Sequence, residues 1–331
     1  MPQRIAIVRA LPGLGDLLCA VPAWRTLRTA LPEARIALIG MPWAKGFVER
    51  FSHYFDDFIP FPGFPGLLEQ NPPIRELPEF FASVHQRHFD LALQMHGSGT
   101  VSNPLTVLLG ARINAGFFLP NQYCPDEERF LPYPDSISEV WRHLRLMEFL
   151  GIPLQGDYLE FPLQENDWQA LHAIDIAGTL QPGEYVCVHP GASVFERRWP
   201  PERFAAVADA LARRGLQVVL TGVAQEVDLA EGVASMMPAR PLNLAGRTSL
   251  GAVAALLSGA RLLICNDTGV SHLAAALSVP SVVIFNDLDV EGWAPLNRQR
   301  HRVVCHPEGV SMEAVLAEVE DLLRQEAIYA A

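Results

Sequence analysis

Short apolar runs alternate with amphipathic stretches along most of the chain. The apolar runs of the first half lie at residues 4–9, 35–40, 57–61, 89–95 and 112–118. Amphipathic stretches that predict helices lie at residues 16–30, 43–51 and 137–150. Because the runs are apolar throughout, they are typical of strands that are buried on both faces of a parallel sheet. The alternation indicates βαβ units.

A polar, interrupted segment at residues 152–166 divides this pattern, and the alternation starts again after it. Further apolar runs lie at residues 185–189, 217–221, 261–265 and 281–285, and predicted helices at 166–177, 201–214, 225–236, 249–258 and 269–277. We therefore predict an α/β protein with two Rossmann-like, doubly wound parallel sheets, one in residues 1–160 and one in residues 161–331. Two such domains should face an interdomain cleft at the carboxyl ends of their strands. A last helix near residues 311–326 can pack on either domain.

Three segments depart from the alternation. The proline-rich segment at residues 60–78 is expected to run over the surface, because proline interrupts regular structure. The uncharged stretches at residues 91–111 and 268–286 contain Gly, Ser, Asn, His or Pro, so neither is predicted to span a membrane.

The charge of the chain restricts its partners. It has 25 Lys and Arg against 37 Asp and Glu, a formal net charge of -12, which would repel nucleic acid and anionic membranes. We expect no nucleic-acid partner and at most peripheral membrane contact. The five cysteines show no C-x-x-C spacing, and the N-terminus lacks the order of a signal peptide. These features indicate reduced cysteines and a cytoplasmic protein.

The most informative loop follows the apolar run at residues 261–265 and reads NDTGVSHLAAAL from Asn266. Asp267 or Thr268 can cap the helix that begins here, and its free N–H groups and dipole favour a phosphate. A well-capped helix without a ligand is the alternative. Capping alone does not account for Gly269 and His272, which lie within the first turn or so of that helix.

The loop after the first strand, LPGLGD, ends at Asp16. Gly13 and Gly15 allow close approach of the backbone, but Leu18 stands where a dinucleotide-binding loop needs a third small residue. Asp16 is either a functional carboxylate or an ordinary helix cap, and the loop by itself favours the cap.

Three further loops follow predicted strands. HPGAS, with Ser193, leads to Arg197 and Arg198, whose forked guanidinium groups suit a diphosphate or a solvated surface. TGVAQE ends at Glu226, which suits ribose hydroxyls or the first turn of a helix. His96, in the loop HGSG, either contacts an acceptor or belongs to a simple turn.

Several motifs are absent from the sequence. It has no Asp-x-Asp pair after a strand, no Cys/His ligand set, no phosphate-binding P-loop and no G-x-S-x-G elbow. We therefore predict neither a metal centre nor a serine hydrolase.

Together and in order, four motifs resemble glycosyltransferase family 9, the heptosyltransferases of bacterial lipopolysaccharide core assembly. They are IAIVRALPGLGDLLCAVPAWRTLR, HPGASVFERRWPPERF, NLAGRTSL and NDTGVSHLAAAL, which run from residue 5 to residue 277. The resemblance therefore covers both predicted domains.

The resemblance implies a GT-B fold with the acceptor on the N-terminal domain and the nucleotide sugar mainly on the C-terminal one. It implies an inverting, metal-independent transfer without a cofactor, with ADP-heptose as the expected donor and a lipid-linked saccharide as the acceptor. The enzyme would work in the cytoplasm of a Gram-negative bacterium, either free or peripherally at the inner face of the inner membrane.

The resemblance also implies roles for single residues. Asp16 would be the general base, beside an acceptor-side loop that includes Gly13, Gly15 and His96. Glu226 would contact the ribose. The donor diphosphate would be held by a set that includes Arg197, which stands where the family usually has Lys: Ser193, Arg197, Asp267, Thr268, Gly269 and His272.

Two other functions are compatible with such a fold. A nucleotide-sugar epimerase would need no acceptor, and a non-catalytic nucleotide-sugar-binding protein would lack turnover. The turn at residues 286–289, which departs from the family pattern, supports the latter, and the intact Asp16 opposes it. Four arginines of the first half could help to hold an acceptor lipid, but we favour ordinary solvated charges for them: Arg112, Arg129, Arg142 and Arg145.

Overall fold

The computed structural model describes residues 2–67, 74–174, 180–286 and 289–329. The chain divides into two compact units, Met1–Tyr158 and Leu159–Ala331. Part of the proline-rich segment, the end of the helix predicted at 166–177 and the middle of the turn at 286–289 lie outside the described residues.

The first unit contains one six-stranded sheet. Its strands are β1 Arg4–Val8, β2 Arg35–Gly40, β3 Asp57–Pro60, β4 Leu91–Gln94, β5 Ile113–Phe118 and β6 Phe130–Pro132. All neighbours are parallel, in the order β3-β2-β1-β4-β5-β6. Its α-helices are α1 Leu14–Leu18, α2 Val21–Ala30, α3 Lys45–Arg50, α4 Leu77–His85, α5 Ser102–Leu108 and α6 Glu139–Phe149.

The second unit repeats this topology. Its strands are β7 Tyr185–His189, β8 Gln217–Leu220, β9 Leu242–Asn243, β10 Leu262–Asn266, β11 Ser281–Phe285 and β12 His301–Cys305, in the parallel order β12-β11-β10-β7-β8-β9. Its α-helices are α7 Glu165–His172, α8 Pro201–Ala212, α9 Val227–Met236, α10 Leu250–Gly259, α11 Gly269–Ala276, α12 Val290–Trp293 and α13 Met312–Tyr329. The predicted fold class, two doubly wound parallel sheets, is confirmed.

Apolar strands hold each unit together, because a parallel sheet covered by helices must be apolar on both faces. The central strands β1 and β10 are buried along nearly their whole length. The last helix, α13, packs within the second unit, where Val315, Val319 and Leu322 join a core cluster with Phe204 of α8.

The helix predicted at residues 16–30 is in fact two helices, α1 and α2. Pro22 lies in the first turn of α2 and has no N–H to donate to the carbonyl four residues earlier, so the helix cannot continue through it. Three short or half-exposed edge strands, β6, β9 and β12, are not among the predicted strands, and the helices α4, α5 and α12 are not among the predicted helices. Among the described helices, none is long and apolar enough to cross a membrane.

Candidate active site

Each sheet has a point at which its strand order reverses. In the first unit β1 lies beside β4, and in the second unit β7 lies beside β10. Ligands of open α/β sheets bind beyond the carboxyl ends of the strands at such points. The loops singled out above follow these four strands or the neighbouring β8.

Asp16 lies in the first turn of α1, and its side chain is half-buried. Its carboxylate Oδ2 accepts a hydrogen bond from the Gly13 N–H at 3.0 Å, as a helix cap does. A Cβ at Gly13 would lie 2.4 Å from the same oxygen, so glycine is needed for this approach. The structure therefore shows the capping contact of Asp16 with the Gly13 N–H.

A fully buried guanidinium lies behind Asp16. Arg9, directly after β1, donates from Nε to the Asp16 carbonyl at 2.7 Å and from Nη1 to the Met95 carbonyl at 2.6 Å. Its Nη2 donates to Glu139 Oε1 of α6 at 3.0 Å. Burial lowers the pKa of Arg9, and the nearby Asp16 charge raises it. One side chain thus joins the ends of β1 and β4, the start of α1 and the start of α6.

Glu139 is shared by three partners. Besides Arg9, it pairs with Arg142 and lies 3.1 Å from His143 Nε2. Burial lowers the pKa of His143 well below its ordinary value, and the charges of Arg9 and Arg142 lower it further, so the imidazole is neutral. The cluster therefore has two buried positive charges and one negative charge.

His96 is held in one tautomer. Its Nδ1 accepts from the Ala10 N–H at 3.1 Å, so in the neutral ring the proton is on Nε2. Burial, and next the charge of Arg9, lower the pKa of His96 to about 4. At neutral pH the ring is therefore a hydrogen-bond donor through Nε2.

The loop that holds His96 is fixed by polar side chains from β4 and α5. Gln94 donates to the His96 carbonyl at 2.9 Å, and the Ser102 hydroxyl donates to the same oxygen at 2.7 Å. Gly97 and Gly99 have positive φ angles of 63° and 99°. At Gly99 a Cβ would lie 2.4 Å from the Phe117 carbonyl, so the loop is built closely against β5.

In the second unit Asn266 joins the ends of β7 and β10. Its amide donates to the Pro190 carbonyl at 2.8 Å and the Gly191 carbonyl at 3.2 Å, and its oxygen accepts from the Trp199 N–H at 2.9 Å. The side chain is fully buried. Asn266 therefore holds the start of the HPGAS loop and the backbone at Trp199 against the end of β10.

Arg197 and Asp267 form an ion pair beside the start of α11. Arg197 Nη1 lies 3.2 Å from Asp267 Oδ2, and 29% of the Arg197 side chain is exposed against 3% for Asp267. Thr268 is the N-cap of α11, but its side chain makes no capping hydrogen bond, so the capping expected of it is not seen. Gly269 begins the helix, and the N-terminal dipole points to the carboxyl edge of the sheet.

Glu226 is buried against the HPGAS loop. Its Oε2 accepts from the Val223 N–H at 2.9 Å and lies 3.5 Å from His189 Nε2. A Cβ at Gly191 would lie 2.1 Å from the Glu226 carboxyl group, so the carboxylate is pressed against the glycine backbone. Ser193, in the same loop, is exposed.

His272 is buried on α11, near the buried His301 and the half-buried Trp293. Its ring centroid is 6.0 Å from that of Trp293, in an edge contact. Burial lowers the pKa of His272 to about 4 and that of His301 to about 4, so both rings are neutral at pH 7. His272 is thus packed behind the α11 N-terminus rather than exposed on it.

Within the first unit the structure brings Gly13, Gly15, Asp16 and His96 to one edge of the sheet. In the second unit the other predicted residues follow the neighbouring strands β7, β8 and β10, and Arg197 contacts Asp267; they are Ser193, Arg197, Glu226, Asp267, Thr268, Gly269 and His272. None of the residues that support these loops is among the predicted site residues: Arg9, Glu139, His189 and Asn266.

The four arginines considered for the acceptor lipid each lie beside a carboxylate. Arg112 is 3.5 Å from Asp90, and Arg129 and Arg145 pair with acids three residues away. Arg142 is buried against Glu139, so for this residue the expected solvated state is wrong.

The described residues contain no group of three or more His, Cys, Asp or Glu side chains placed to hold a metal ion.

Solved glycosyltransferases share this architecture. A family 9 glycosyltransferase from Veillonella parvula matches with a TM-score of 0.83 at 22% identity, over 98% of each chain. The E. coli heptosyltransferase WaaC with ADP matches with a TM-score of 0.70 at 21% identity, over 96% of this chain and 99% of that one. The protein thus has the GT-B fold of a glycosyltransferase.

The chain belongs to glycosyltransferase family 9 (heptosyltransferase), whose model matches residues 78–320. Lipopolysaccharide heptosyltransferase 3 of Escherichia coli is 35% identical over 279 residues, which cover 76% of this chain and 74% of that protein. The protein is a glycosyltransferase, and its substrates are a sugar donor and an acceptor. Both the family and the enzyme class predicted from the four motifs are confirmed.

Proposed function

We propose that this protein transfers heptose from ADP-heptose to a saccharide of the lipopolysaccharide core, with inversion at the anomeric carbon and without a metal ion. The observation that carries the proposal is the pairing of Arg197 with Asp267 at the start of α11. The names of the relatives support the acceptor class, and the solved heptosyltransferase with ADP supports the nucleotide.

In the proposed reaction an acceptor hydroxyl attacks the anomeric carbon as the bond from that carbon to the diphosphate oxygen breaks. Asp16 takes the hydroxyl proton through its carboxylate, within an acceptor-side loop that includes Gly13, Gly15 and His96. A single displacement from the face opposite the leaving group inverts the anomeric carbon.

Negative charge collects on the departing diphosphate. Arg197 and the N–H groups at the start of α11 would stabilise it, with Thr268, Gly269 and Ser193 as hydrogen-bonding partners. Asp267 would orient the guanidinium through the 3.2 Å ion pair, and His272 would support the helix start from behind. This arrangement would supply the positive charge that a divalent cation supplies in other transferases.

Glu226 is the proposed ribose contact. Its carboxylate has acceptor sites beyond the one filled by the Val223 N–H, and a carboxylate can accept from two hydroxyl groups. The contact with His189 would hold it in place.

The experiment that tests the proposal measures nucleotide release from ADP-heptose, with and without a heptose-deficient lipopolysaccharide core acceptor, in buffer containing EDTA. GDP-linked and UDP-linked sugars serve as control donors. We expect release of ADP that depends on the acceptor and is insensitive to the chelator, and NMR of the product should show an inverted anomeric centre. Turnover with a different nucleotide would refute the donor, and EDTA-sensitive turnover would refute the metal-independent step.

Family membership favours transfer over the two other candidate functions. An epimerase would convert the nucleotide sugar without an acceptor, and a non-catalytic protein would bind the donor without releasing ADP. The same assay therefore distinguishes the three functions.

A further inference from the structure

The strongest unexplained feature of the first unit is its buried guanidinium. Arg9 is 0% exposed, although the removal of an arginine from water costs several kcal/mol even when it is paired. Its three hydrogen bonds, to the Asp16 carbonyl, the Met95 carbonyl and Glu139, join segments up to 130 residues apart. These contacts lie directly behind the residue proposed as general base.

The second unit shows that a charge is not needed to close such a junction. There Asn266, a neutral amide at the end of β10, holds the Pro190 and Gly191 carbonyls and the Trp199 N–H at the corresponding strand-order reversal. A neutral side chain avoids most of the desolvation cost of a buried ion. The charge in the first unit therefore needs a reason beyond closure of the sheet.

The balance of charges supplies that reason. Arg9 and Arg142 share the single carboxylate of Glu139, which leaves one positive charge in excess. The remaining titratable groups that interact with the Arg9 guanidinium come from other elements: Cys19, His96, Tyr133 and His143. His96 has a pKa of about 4 and that of His143 is well below its ordinary value, so neither adds positive charge near neutral pH. The carboxylate that faces the excess is Asp16.

We propose that Arg9, held by Glu139, is a positioning residue for Asp16: its guanidinium fixes the first turn of α1 and supplies the positive charge that favours the ionised carboxylate. This inference rests on the proposed function, because it assigns Arg9 a role through the proposed general base. Arg9 has no contact with substrate in this role.

The test is the pH dependence of kcat/KM for transfer in Arg9→Gln, Arg9→Lys and Glu139→Gln. Arg9→Gln keeps a donor group and removes the charge, so the ionised Asp16 carboxylate is less favoured. The fall of activity on the acid side should then move to higher pH, by about one unit. Arg9→Lys keeps the charge and loses the fork, so it should leave that fall in place and lower kcat by about tenfold.

Glu139→Gln removes a negative charge beside Arg9 and should move the same fall to lower pH. A disturbance of the structure alone would not be expected to shift the pH profile in opposite directions in the two variants. If Arg9→Gln does not fold, the pH profile of Glu139→Gln still tests the proposal. The control is Arg25→Gln, which removes another largely buried guanidinium of this unit, one that contacts Tyr54 and the Tyr158 carbonyl. We expect no shift in the control.

Two failures can be told apart. If Asp16→Asn retains wild-type transfer, the general base itself is wrong and the proposed mechanism fails. If Asp16→Asn is inactive while folded Arg9→Gln and Glu139→Gln both show the wild-type pH profile, or shift it in the same direction, only the role of Arg9 is refuted. Far-ultraviolet circular dichroism across the pH range confirms that each variant is folded.

Discussion

At the strand-order reversal of the first sheet a buried guanidinium, Arg9, joins the ends of β1 and β4, whereas at that of the second sheet a buried carboxamide, Asn266, joins the ends of β7 and β10. The topology is the same in both units. Under the proposed function, the general base lies in front of the first junction and the diphosphate site lies in front of the second. A charged support suits a residue that must stay ionised, and a neutral one suits a loop that need only be rigid.

The substitution Asn266→Ala tests the neutral side of this comparison. The substitution removes three hydrogen bonds and leaves buried backbone groups of the HPGAS loop unpaired, so we expect a loss of about 3 kcal/mol of local stability. Hydrogen exchange of the peptides around residues 190–200 should become faster, and donor affinity should fall at least tenfold.

The matched control is Asn243→Ala at the end of β9, where the side chain accepts one hydrogen bond from the Ala245 N–H. We expect a loss of about 1 kcal/mol or less there, with no change in donor affinity. Equal effects of the two substitutions would mean that Asn266 has no special place at the junction.

The contribution of the Arg197 charge to donor binding is tested with Arg197→Ala. We expect the dissociation constant for ADP to rise by about 30-fold, because a charge-assisted contact of about 2 kcal/mol is lost and Asp267 is left buried without this partner. Arg197→Lys keeps the charge and should weaken binding only about threefold. Calorimetry measures both, with Arg213→Ala, an exposed arginine directly after the end of α8, as the control. Unchanged ADP binding by Arg197→Ala would mean that the diphosphate does not bind at this loop.

A smaller effect is expected from the buried histidines. His272 and His301 in the second unit each have a folded pKa of about 4, against about 6.5 in the unfolded chain. The unfolded chain therefore binds more protons between these values, and stability falls as the pH is lowered through that range. Each ring contributes a fall of at most about 1.4 kcal/mol per pH unit.

His301→Gln should reduce that dependence. Its loss of stability between pH 7 and pH 5 should be smaller than that of the wild type by about 2 kcal/mol, measured by urea unfolding at both values. The substitution of a surface histidine, His85→Gln, is the control. An unchanged dependence would mean that His301 is not held neutral by its surroundings.

Much of the fold could be predicted from the sequence, since apolar runs locate the central strands by themselves. The loops after β1, β4, β7, β8 and β10 were located as well, because glycine and polar residues mark the ends of buried strands. The break between α1 and α2 was missed, although Pro22 is the signal that could have found it. Edge strands such as β12 were missed because they lack a fully apolar run.

The supports of the site could not be predicted. Arg9 and Glu139 are 130 residues apart, and nothing in local composition connects them. Asn266 was visible in the NDTG motif, but its partners at Pro190 and Trp199 depend on the parallel pairing of β7 with β10. The resemblance of the motifs identified the family, whereas the tertiary structure was needed to show what holds the motifs in place.

The most direct measurement of the central claim is the single-turnover rate of heptose transfer by Asp16→Asn, with the dissociation constant for ADP-heptose determined in parallel. Asp167→Asn is the matched control, because Asp167 likewise caps its own helix by accepting from the Gln164 N–H, at 2.8 Å. We predict that Asp16→Asn lowers the rate by about 10²–10⁴-fold with donor affinity within about twofold, and that Asp167→Asn leaves both nearly unchanged. A rate within about tenfold of the wild type, equivalent to about 1.4 kcal/mol of barrier, would show that Asp16 is only a helix cap.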